Sequence, residues 1–316
     1  MKIYVTGAAG FIGFHLCKAL LNEENEVLGI DNLNNYYDLT LKHDRLEILN
    51  KYKNFKSDKI NISDKQSISD SFNKFKPKKV IPLAAQAGIR YSLKNPEVYI
   101  DSNIAGFLNI IENSRRNNVE GFIYASSSSV YGSNTKKPYS INDRTDSPIS
   151  IYAATKKSNE LIANTYSHLY GLNTTGLRYF TVYGPWGRPD MAYYIFTNKI
   201  LNREEISVYN DGNMKRDFTF IEDIIKGTMS AIEKNYKNEI FNLGNSNSEN
   251  LMDLISIIEE ELGINAKIDY KKTQLGDVKE TYADIKKSKE KLDYIPKISI
   301  YQGVPRFIKW YKDYNQ

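Results

Sequence analysis

The sequence Tyr152-Ala153-Ala154-Thr155-Lys156 sets a phenol and an ammonium four residues apart. On a helix, positions i and i+4 share one face. A free phenol titrates near pH ~10 and is a poor base at neutral pH, but a cation beside it favours the phenolate. Bringing it to about 7 takes a shift of ~3 units, or about 4 kcal/mol. Upstream, Ser126-Ser127-Ser128-Ser129-Val130-Tyr131-Gly132 follows the apolar run Phe122-Ile123-Tyr124. Hydroxyls at the end of such a strand can hold an alcohol, or the carbonyl formed from it. Either signal alone is common. Together they describe a site for oxidising and reducing a carbon that bears a hydroxyl, with Tyr152 as the base.

Such chemistry needs a partner for the electrons, and the N-terminus offers a place for one. Thr6-Gly7-Ala8-Ala9-Gly10-Phe11-Ile12-Gly13 spaces glycines as G-x-x-G-x-x-G. One glycine allows the tight turn, one lets backbone approach a pyrophosphate, and one lets helix and strand pack closely. The helix that follows turns its N-terminus toward the negative charge. Asp31 stands eighteen residues after Gly13, at the end of the next apolar run. A carboxylate there can accept both adenosine ribose hydroxyls and repels a 2′-phosphate. Asn32 follows it and no arginine flanks it, so the expected cofactor is NAD rather than NADP. Its oxidised nicotinamide would be a second positive charge near the phenol.

The elements that must position these groups alternate. Strands are expected at Lys2–Thr6, Glu26–Ile30, Lys59–Ile62, Lys79–Ala84, Gly121–Ala125 and Asn173–Tyr179. Helices are expected at Gly10–Leu21, Lys65–Phe75, Pro96–Arg116 and Tyr152–Tyr170. Continuous apolar runs such as Val80-Ile81 read as strands buried on both faces. The fold class is therefore α/β, a doubly wound parallel Rossmann sheet. After Tyr179 the pattern loosens into helices near Tyr193–Leu201, Glu222–Lys234, Leu251–Leu262 and Val304–Tyr311. Short strands fall near Ile206–Tyr209, Phe241–Leu243 and Ala266–Tyr270. The expected division is an NAD-binding domain over residues 1–180 and a smaller mixed substrate-binding lobe over 181–316, some segments of which can return to the first domain. The site belongs in the cleft between them.

Composition agrees with this. The chain has 316 residues, 41% hydrophobic and 26% charged, which is ordinary for a globular protein and too apolar for a disordered one. No apolar run reaches the ~20 residues of a membrane span, and Gly7 cuts the opening strand too early for a signal sequence. Cys17 is the one cysteine, so no intrachain disulfide can form and a cytoplasmic location is expected. His15, His43 and His168 have no zinc spacing. The net charge of +5 is spread among acids, as in Lys286-Lys287-Ser288-Lys289-Glu290-Lys291, and reads as solvated helix surface. No basic and aromatic stripe points to nucleic acid. A mild positive excess suits an anionic small substrate.

The motifs TGAAGFIG (6–13), Asp31, ASSSSVYG (125–132) and YAATK (152–156) resemble the extended short-chain dehydrogenase/reductases of the NAD-dependent epimerase/dehydratase family, which act on nucleotide sugars. The resemblance continues through LRYFTVYGPWGRPDMA (177–192), KRDFTFIEDI (215–224), FNLGNS (241–246) and QLGDVKETYADI (274–285), and so covers nearly the whole chain. Three stretches, LAAQAGIRYSLKNP (83–96), FTVYGPWGRPDMA (180–192) and QLGDVKETYADI (274–285), are most similar to the branch that converts UDP-glucuronate and UDP-galacturonate reversibly at C4, with NAD regenerated each turnover.

The resemblance implies catalytic roles for Ser127, Tyr152 and Lys156. It implies NAD contacts at Gly7, Gly10, Phe11, Ile12, Gly13, Asp31, Asn32, Asn61, Ile62, Leu83, Ala84, Ala85, Asn103, Tyr179 and Val182, besides Tyr152 and Lys156. The UDP-sugar falls to Ser127, Ser128 and Thr181 at the sugar, to Arg216 and Asp277 at the diphosphate and ribose, and to Arg90 and Arg188 as further anion contacts. It also implies a homodimer paired through the helices near 96–116 and 152–170. Two positions depart from the pattern. Asn61 replaces an aspartate at the adenine edge, where its carbonyl can still accept a hydrogen bond. Pro82 replaces a histidine and should disturb that strand's ladder.

Within such a fold the reaction could instead be dehydration or decarboxylation. Relatives that do this carry a glutamate beside the catalytic hydroxyl, where this chain has Ser128 and Ser129. A silent dinucleotide sensor would have lost Tyr152 or Lys156. Neutral UDP-glucose and N-acetylated sugars or uronates remain alternative substrates. A 4-keto uronate is a β-keto acid and loses carbon dioxide readily, so an epimerase must clamp the carboxylate. Ser128 and Thr181 are the expected clamp, with Arg188 as the alternative.

Overall fold

The computed structural model describes residues 1–272 and 278–315. In chain order the first half runs β1 (Lys2–Thr6), α1 (Phe11–Asn22), β2 (Glu26–Asp31), α2 (Leu39–Asn50), β3 (Phe55–Lys59), α3 (Lys65–Phe75) and β4 (Lys79–Pro82). It continues through α4 (Ile89–Lys94), α5 (Glu97–Tyr99), a π-helical stretch Ile100–Gly106, α6 (Phe107–Arg116), β5 (Gly121–Ser127), α7 (Ile151–Tyr170) and β6 (Thr174–Tyr179). The remainder comprises β7 (Thr181–Tyr183), α8 (Ala192–Leu201), β8 (Glu205–Tyr209), β9 (Lys215–Arg216), β10 (Phe218–Phe220) and α9 (Ile221–Lys234). After these come β11 (Asn238–Leu243), β12 (Glu249–Asn250), α10 (Leu251–Leu262), β13 (Lys267–Lys271), α11 (Lys286–Leu292) and α12 (Ile300–Tyr314).

Seven strands form one parallel sheet in the order β11-β6-β5-β4-β1-β2-β3. The two-residue period of each strand divides its side chains between two cores. Ile3, Val5, Ile81, Ile123 and Leu177 join one core with α1 and α9. Tyr4, Leu28, Val80, Phe122 and Tyr124 join the other with α3, α6 and α7. Both faces are thus covered, which is the expected doubly wound α/β arrangement. The winding reverses between β1 and β4, so the crevice opens at their carboxyl ends. The smaller sheets β7–β10, β8–β13 and β9–β12 build the second lobe, and its core is continuous with the first.

Four local differences from the sequence expectation have physical causes. The third strand is Phe55–Lys59, not Lys59–Ile62. It is an edge strand with four of its five residues exposed, so it lacks an apolar run. Asn61 and Ile62 fall just past its end. The helix Leu39–Asn50 buries Lys42 and Arg45 beside Leu41 and Leu49, which erases the apolar stripe by which a helix is recognised. The strand at Phe241–Leu243 belongs to the main sheet, paired with β6, rather than to the smaller lobe. The long helix through residues 96–116 is one winding path interrupted by the π stretch. Pro82 acts as expected. Leu83 N–H bonds the Thr6 carbonyl on the β1 side, so the missing donor of Pro82 faces β5. The β4–β5 ladder stops at Val80.

Candidate active site

The turn from β1 into α1 is set by Gly7, whose φ of 73° favours a residue without Cβ. A Cβ there would lie 2.8 Å from the Ala84 nitrogen, and one on Gly13 would lie 2.0 Å from the Gly7 carbonyl oxygen. Helix α1 begins at Gly10 with no side chain capping it, so no side chain competes for its leading N–H groups. Gly7, Gly10, Phe11, Ile12 and Gly13 all line one long cleft. Asp31, at the end of β2, accepts from the Leu33 and Ala9 amides at 2.9 and 3.2 Å. Asn32, Asn61 and Ile62 line the same end of the cleft. Glycine cradle, uncapped helix start and terminal carboxylate together fit a dinucleotide. The structure adds Lys42, whose Nζ is 3.9 Å from the Asp31 carboxylate and donates to the Asn34 carbonyl and side chain. The sequence hides this cation because it arrives from α2, eleven residues on.

Leu83, Ala84 and Ala85 leave β4 along the cleft wall. Asn103 is buried behind them and is not one of the lining residues. Its amide holds both backbone groups of Gln86, at 2.8 and 3.0 Å, and donates to the Thr155 hydroxyl at 3.1 Å. It fixes the wall to α7. The π stretch that carries it is the kind of local widening found at functional sites.

Ser127, Tyr152 and Lys156 meet in this cleft with Tyr179, Val182 and Arg188. Ser150 caps α7 by accepting from the Ala153 amide at 3.1 Å, which places Tyr152 in the first turn. Ser127 ends β5, where its Oγ accepts from the Ser129 amide and donates to the Ser129 hydroxyl, both at 3.1 Å. Burial pushes the Tyr152 phenol above its ordinary value. The Ser127 hydroxyl and the Arg188 charge pull it down. Lys156 is buried, donates to the Ala125 carbonyl at 2.9 Å, and is brought down to about 8 by burial. Arg188 is thus a second cation on the wall that carries the phenol and Lys156, one that the sequence spacing does not single out. Behind the site Glu160 accepts from Ser126 at 2.7 Å and from Arg178 at 2.8 and 2.9 Å. This buried network ties β5, β6 and α7 together. Removing one partner would strand a charge, at about 3–5 kcal/mol.

A second cavity adjoins the first at the Ser127–Ser128 junction. Ser128, Ser129, Ser150, Thr181, Arg216 and Thr281 are among its lining residues. The Arg216 guanidinium donates to the Lys215 and Lys279 carbonyls at 2.8 and 3.2 Å. Next to it Asp217 is fully buried and accepts from the Asn245, Ser246 and Ala283 amides and the Thr219 hydroxyl. Burial pushes its carboxyl up to about 6. Arg90 is exposed on α4, with its guanidinium 4.8 Å above the Tyr209 ring, and lines neither cavity. Asp277 lies outside the described residues. Tyr36, Lys42 and Arg45 take part in the cleft's bonding without any motif to announce them, and Asp190 joins them from within the 177–192 stretch.

Among the described residues no helix is long and apolar enough to cross a membrane. Residues 3–244 match the model of the NAD dependent epimerase/dehydratase family. The chain is 48% identical to Protein CapI of Staphylococcus aureus, with 99% of both chains covered. It is 44% identical to UDP-glucuronate 4-epimerase 2 of Arabidopsis thaliana, over 99% of this chain and 76% of that one. The structure of UDP-glucuronic acid 4-epimerase from Bacillus cereus, in complex with UDP-glucuronic acid and NAD, superposes with a TM-score of 0.94 at 35% identity. That match covers 99% of this chain and 100% of the other. A glycine cradle facing Asp31, a serine, tyrosine and lysine on the adjoining wall, and sequence agreement over nearly the full length lead to one assignment: the chain belongs to the NAD-dependent epimerase/dehydratase family.

Proposed function

We propose that the protein is a UDP-sugar 4-epimerase whose substrate is UDP-glucuronate, converted reversibly to UDP-galacturonate. One observation carries the reading: Ser127, Tyr152 and the glycine cradle share a cleft whose neighbouring cavity is lined by hydroxyls and Arg216. Among the described residues lining the two cavities the carboxylate is that of Asp31, on the cofactor side. A dehydratase or decarboxylase needs an acid beside the reacting carbon, and Ser128 and Ser129 stand there instead.

NAD, when bound, would supply the acceptor and then the donor for the C4 hydride. The chain's own residues do the rest. Tyr152 removes the proton of the 4-hydroxyl and later restores it. Ser127 holds the same oxygen. The Lys156 ammonium is fixed by the Ala125 carbonyl of β5 and lines the same cleft. Arg216 holds the diphosphate, so the sugar can turn while UDP stays. Gly7, Gly10 and Gly13 with Asp31 would hold the dinucleotide itself. Purified protein given UDP-glucuronate without added NAD tests the reading, with UDP-galacturonate as the expected product and UDP-glucose as the neutral control.

The carboxylate clamp gives a finer test. Ser128 and Thr181 line the second cavity together. Thr181→Val or Ser128→Ala should slow epimerisation of UDP-glucuronate by roughly 10–100-fold, the loss of one hydrogen bond to a charge. The pentose by-product should rise, and UDP-glucose should be less affected. Product analysis on both sugars checks this. Equal losses with no added pentose place the clamp at Arg188.

The homodimer is also proposed. Leu93, Ile100 and Leu108 are exposed along the path from α4 to α6, and Ile151, Leu161 and Leu169 along α7. Packing against a second copy would remove these side chains from water. Sedimentation should give a dimer, and Leu161→Glu together with Leu169→Glu should shift it toward monomer. A wild-type monomer at micromolar concentration contradicts the proposal.

A further inference from the structure

The stretches that wall the second cavity converge on one buried carboxylate that takes no part in the chemistry at Tyr152. Asp217 joins β9 to β10 and follows Arg216 directly. Its Oδ1 accepts from the Asn245 amide at 2.5 Å and from the Thr219 hydroxyl at 2.9 Å. Its Oδ2 accepts from the Ser246 and Ala283 amides, both at 3.0 Å. Burial raises this carboxyl to about 6, so at neutral pH it is ionised and both oxygens can accept at once. Its backbone carbonyl accepts from the Thr181 amide at 3.1 Å.

These contacts join stretches far apart in the sequence. Residues 244–246 turn away from the end of β11, Ser246 with a φ of 58°. Ala283 belongs to a stretch, residues 279–284, that is bonded on one side to β9 and on the other to Tyr139. Lys215 donates to the Lys279 carbonyl at 2.8 Å and accepts from the Thr281 amide at 3.3 Å. Tyr139 donates to the Tyr282 carbonyl and accepts from the Asp284 amide, both at 2.9 Å. Arg216, Tyr139, Thr181 and Thr281 line the cavity, and Asp217 stands behind them. The packing there is close. A Cβ on Gly244 would lie 2.7 Å from the Ala283 Cβ and 2.8 Å from the Asp217 Oδ2.

We infer that Asp217 is a positioning residue for the nucleotide end of the substrate: by binding the Asn245, Ser246 and Ala283 amides, its carboxylate holds the 279–284 stretch in place beside β9, so that Arg216 and Thr281 are presented together to the diphosphate. The inference rests on the reading of that cavity as the place of the UDP-sugar.

The charge matters here more than the shape. Asparagine has the same outline but a single acceptor oxygen, and its amino group donates. Whichever way it turns, the amino group meets a backbone N–H, that of Asn245 on one side or those of Ser246 and Ala283 on the other. Two donors cannot bond, and a buried amide left without an acceptor is costly. The 279–284 stretch then loses its hold on residue 217. Asp223 of α9 offers the comparison. It is also buried, and its Oδ2 accepts from the Lys297 and Ile298 amides at 2.9 and 3.0 Å. Neither Asp223 nor those two residues line either cavity, so its substitution should cost stability alone.

The test is calorimetric titration of UDP into NAD-loaded Asp217→Asn and Asp223→Asn, with KM and kcat for UDP-glucuronate and the melting temperature of each. Asp217→Asn should bind UDP roughly 10–100-fold more weakly, what a hydrogen bond to a charge is worth. KM should rise in step while kcat changes far less, the pattern of binding lost equally from ground and transition states, because Tyr152 and Ser127 line the other cavity. Asp223→Asn should melt at a lower temperature and keep the wild-type UDP affinity and KM. Unchanged UDP affinity in folded Asp217→Asn, or equal weakening in the two variants, overturns the inference. If Asp217→Asn does not fold, Gly244→Ala decides. It keeps the charge and forces Ala283 and Asp217 apart, so its UDP affinity should fall, and an unchanged affinity overturns the inference. Failure of the underlying reading is distinct: wild-type protein that binds no UDP overturns that reading, and this inference with it.

Discussion

Tyr152→Phe is expected to lower turnover by about 10²–10⁴-fold while the protein keeps its fold and its NAD. The substitution removes one oxygen and leaves the ring. That ring packs edge-on against Tyr99, with centroids 6.2 Å apart, and Phe preserves the contact. Lost with the oxygen is the group that accepts the 4-hydroxyl proton. Ser127 cannot replace it, because a serine hydroxyl is a far weaker base than a phenolate. Steady-state turnover of the purified variant is the measurement, with dinucleotide content as the control. In the wild type the phenol must ionise to act, and burial opposes this. Activity should therefore rise with pH through the neutral range, and the variant's residual activity should lack that limb.

Gly13→Ala should cost the protein its cofactor. A Cβ at position 13 would stand 2.0 Å from the Gly7 carbonyl oxygen and 2.8 Å from its carbon. Both are backbone atoms, so no side chain can swing aside. The turn and α1 must separate, and the cradle that would meet the pyrophosphate opens. Overpacking of this kind costs about 1–3 kcal/mol or more, and 3 kcal/mol corresponds to about 100-fold in affinity. The measurement is dinucleotide released on denaturation, backed by titration with added NAD. Gly171→Ala is the control. Its φ of +70° is also left-handed, yet nothing lies within 4 Å of the added atom. It should lose about 1–2 kcal/mol of stability and no cofactor. Equal NAD content in the two variants would contradict the role given to the glycine loop.

The sequence made the framework legible where local signals and burial coincide. β1, β5 and β6 are buried on both faces and read as apolar runs. The glycine loop, Asp31, Ser127 and the Tyr152–Lys156 pair stand out because their chemistry demands particular residue types at fixed spacing. What escaped is what long-range packing creates. Lys42 and Arg45 are cations on the buried face of α2, so the pattern that marks a helix is missing. Asn103, expected at the cofactor, secures Gln86 and Thr155 from behind the cleft wall, contacts no spacing announces. The Tyr36–Asp190–Arg188 chain joins residues 154 positions apart, a distance no spacing rule covers. For the same reason the pairing of Arg188, expected as an anion contact, with Asp190 and through it with Tyr36 needed the fold to show it.

The most direct measurement gives purified protein UDP-glucuronate deuterated at C4, with no dinucleotide added. The account predicts UDP-galacturonate that carries the deuterium at C4, because the hydrogen leaves and returns within one closed cleft while Tyr152 handles only the hydroxyl proton. No conversion, or a product whose C4 hydrogen comes from solvent, would contradict it.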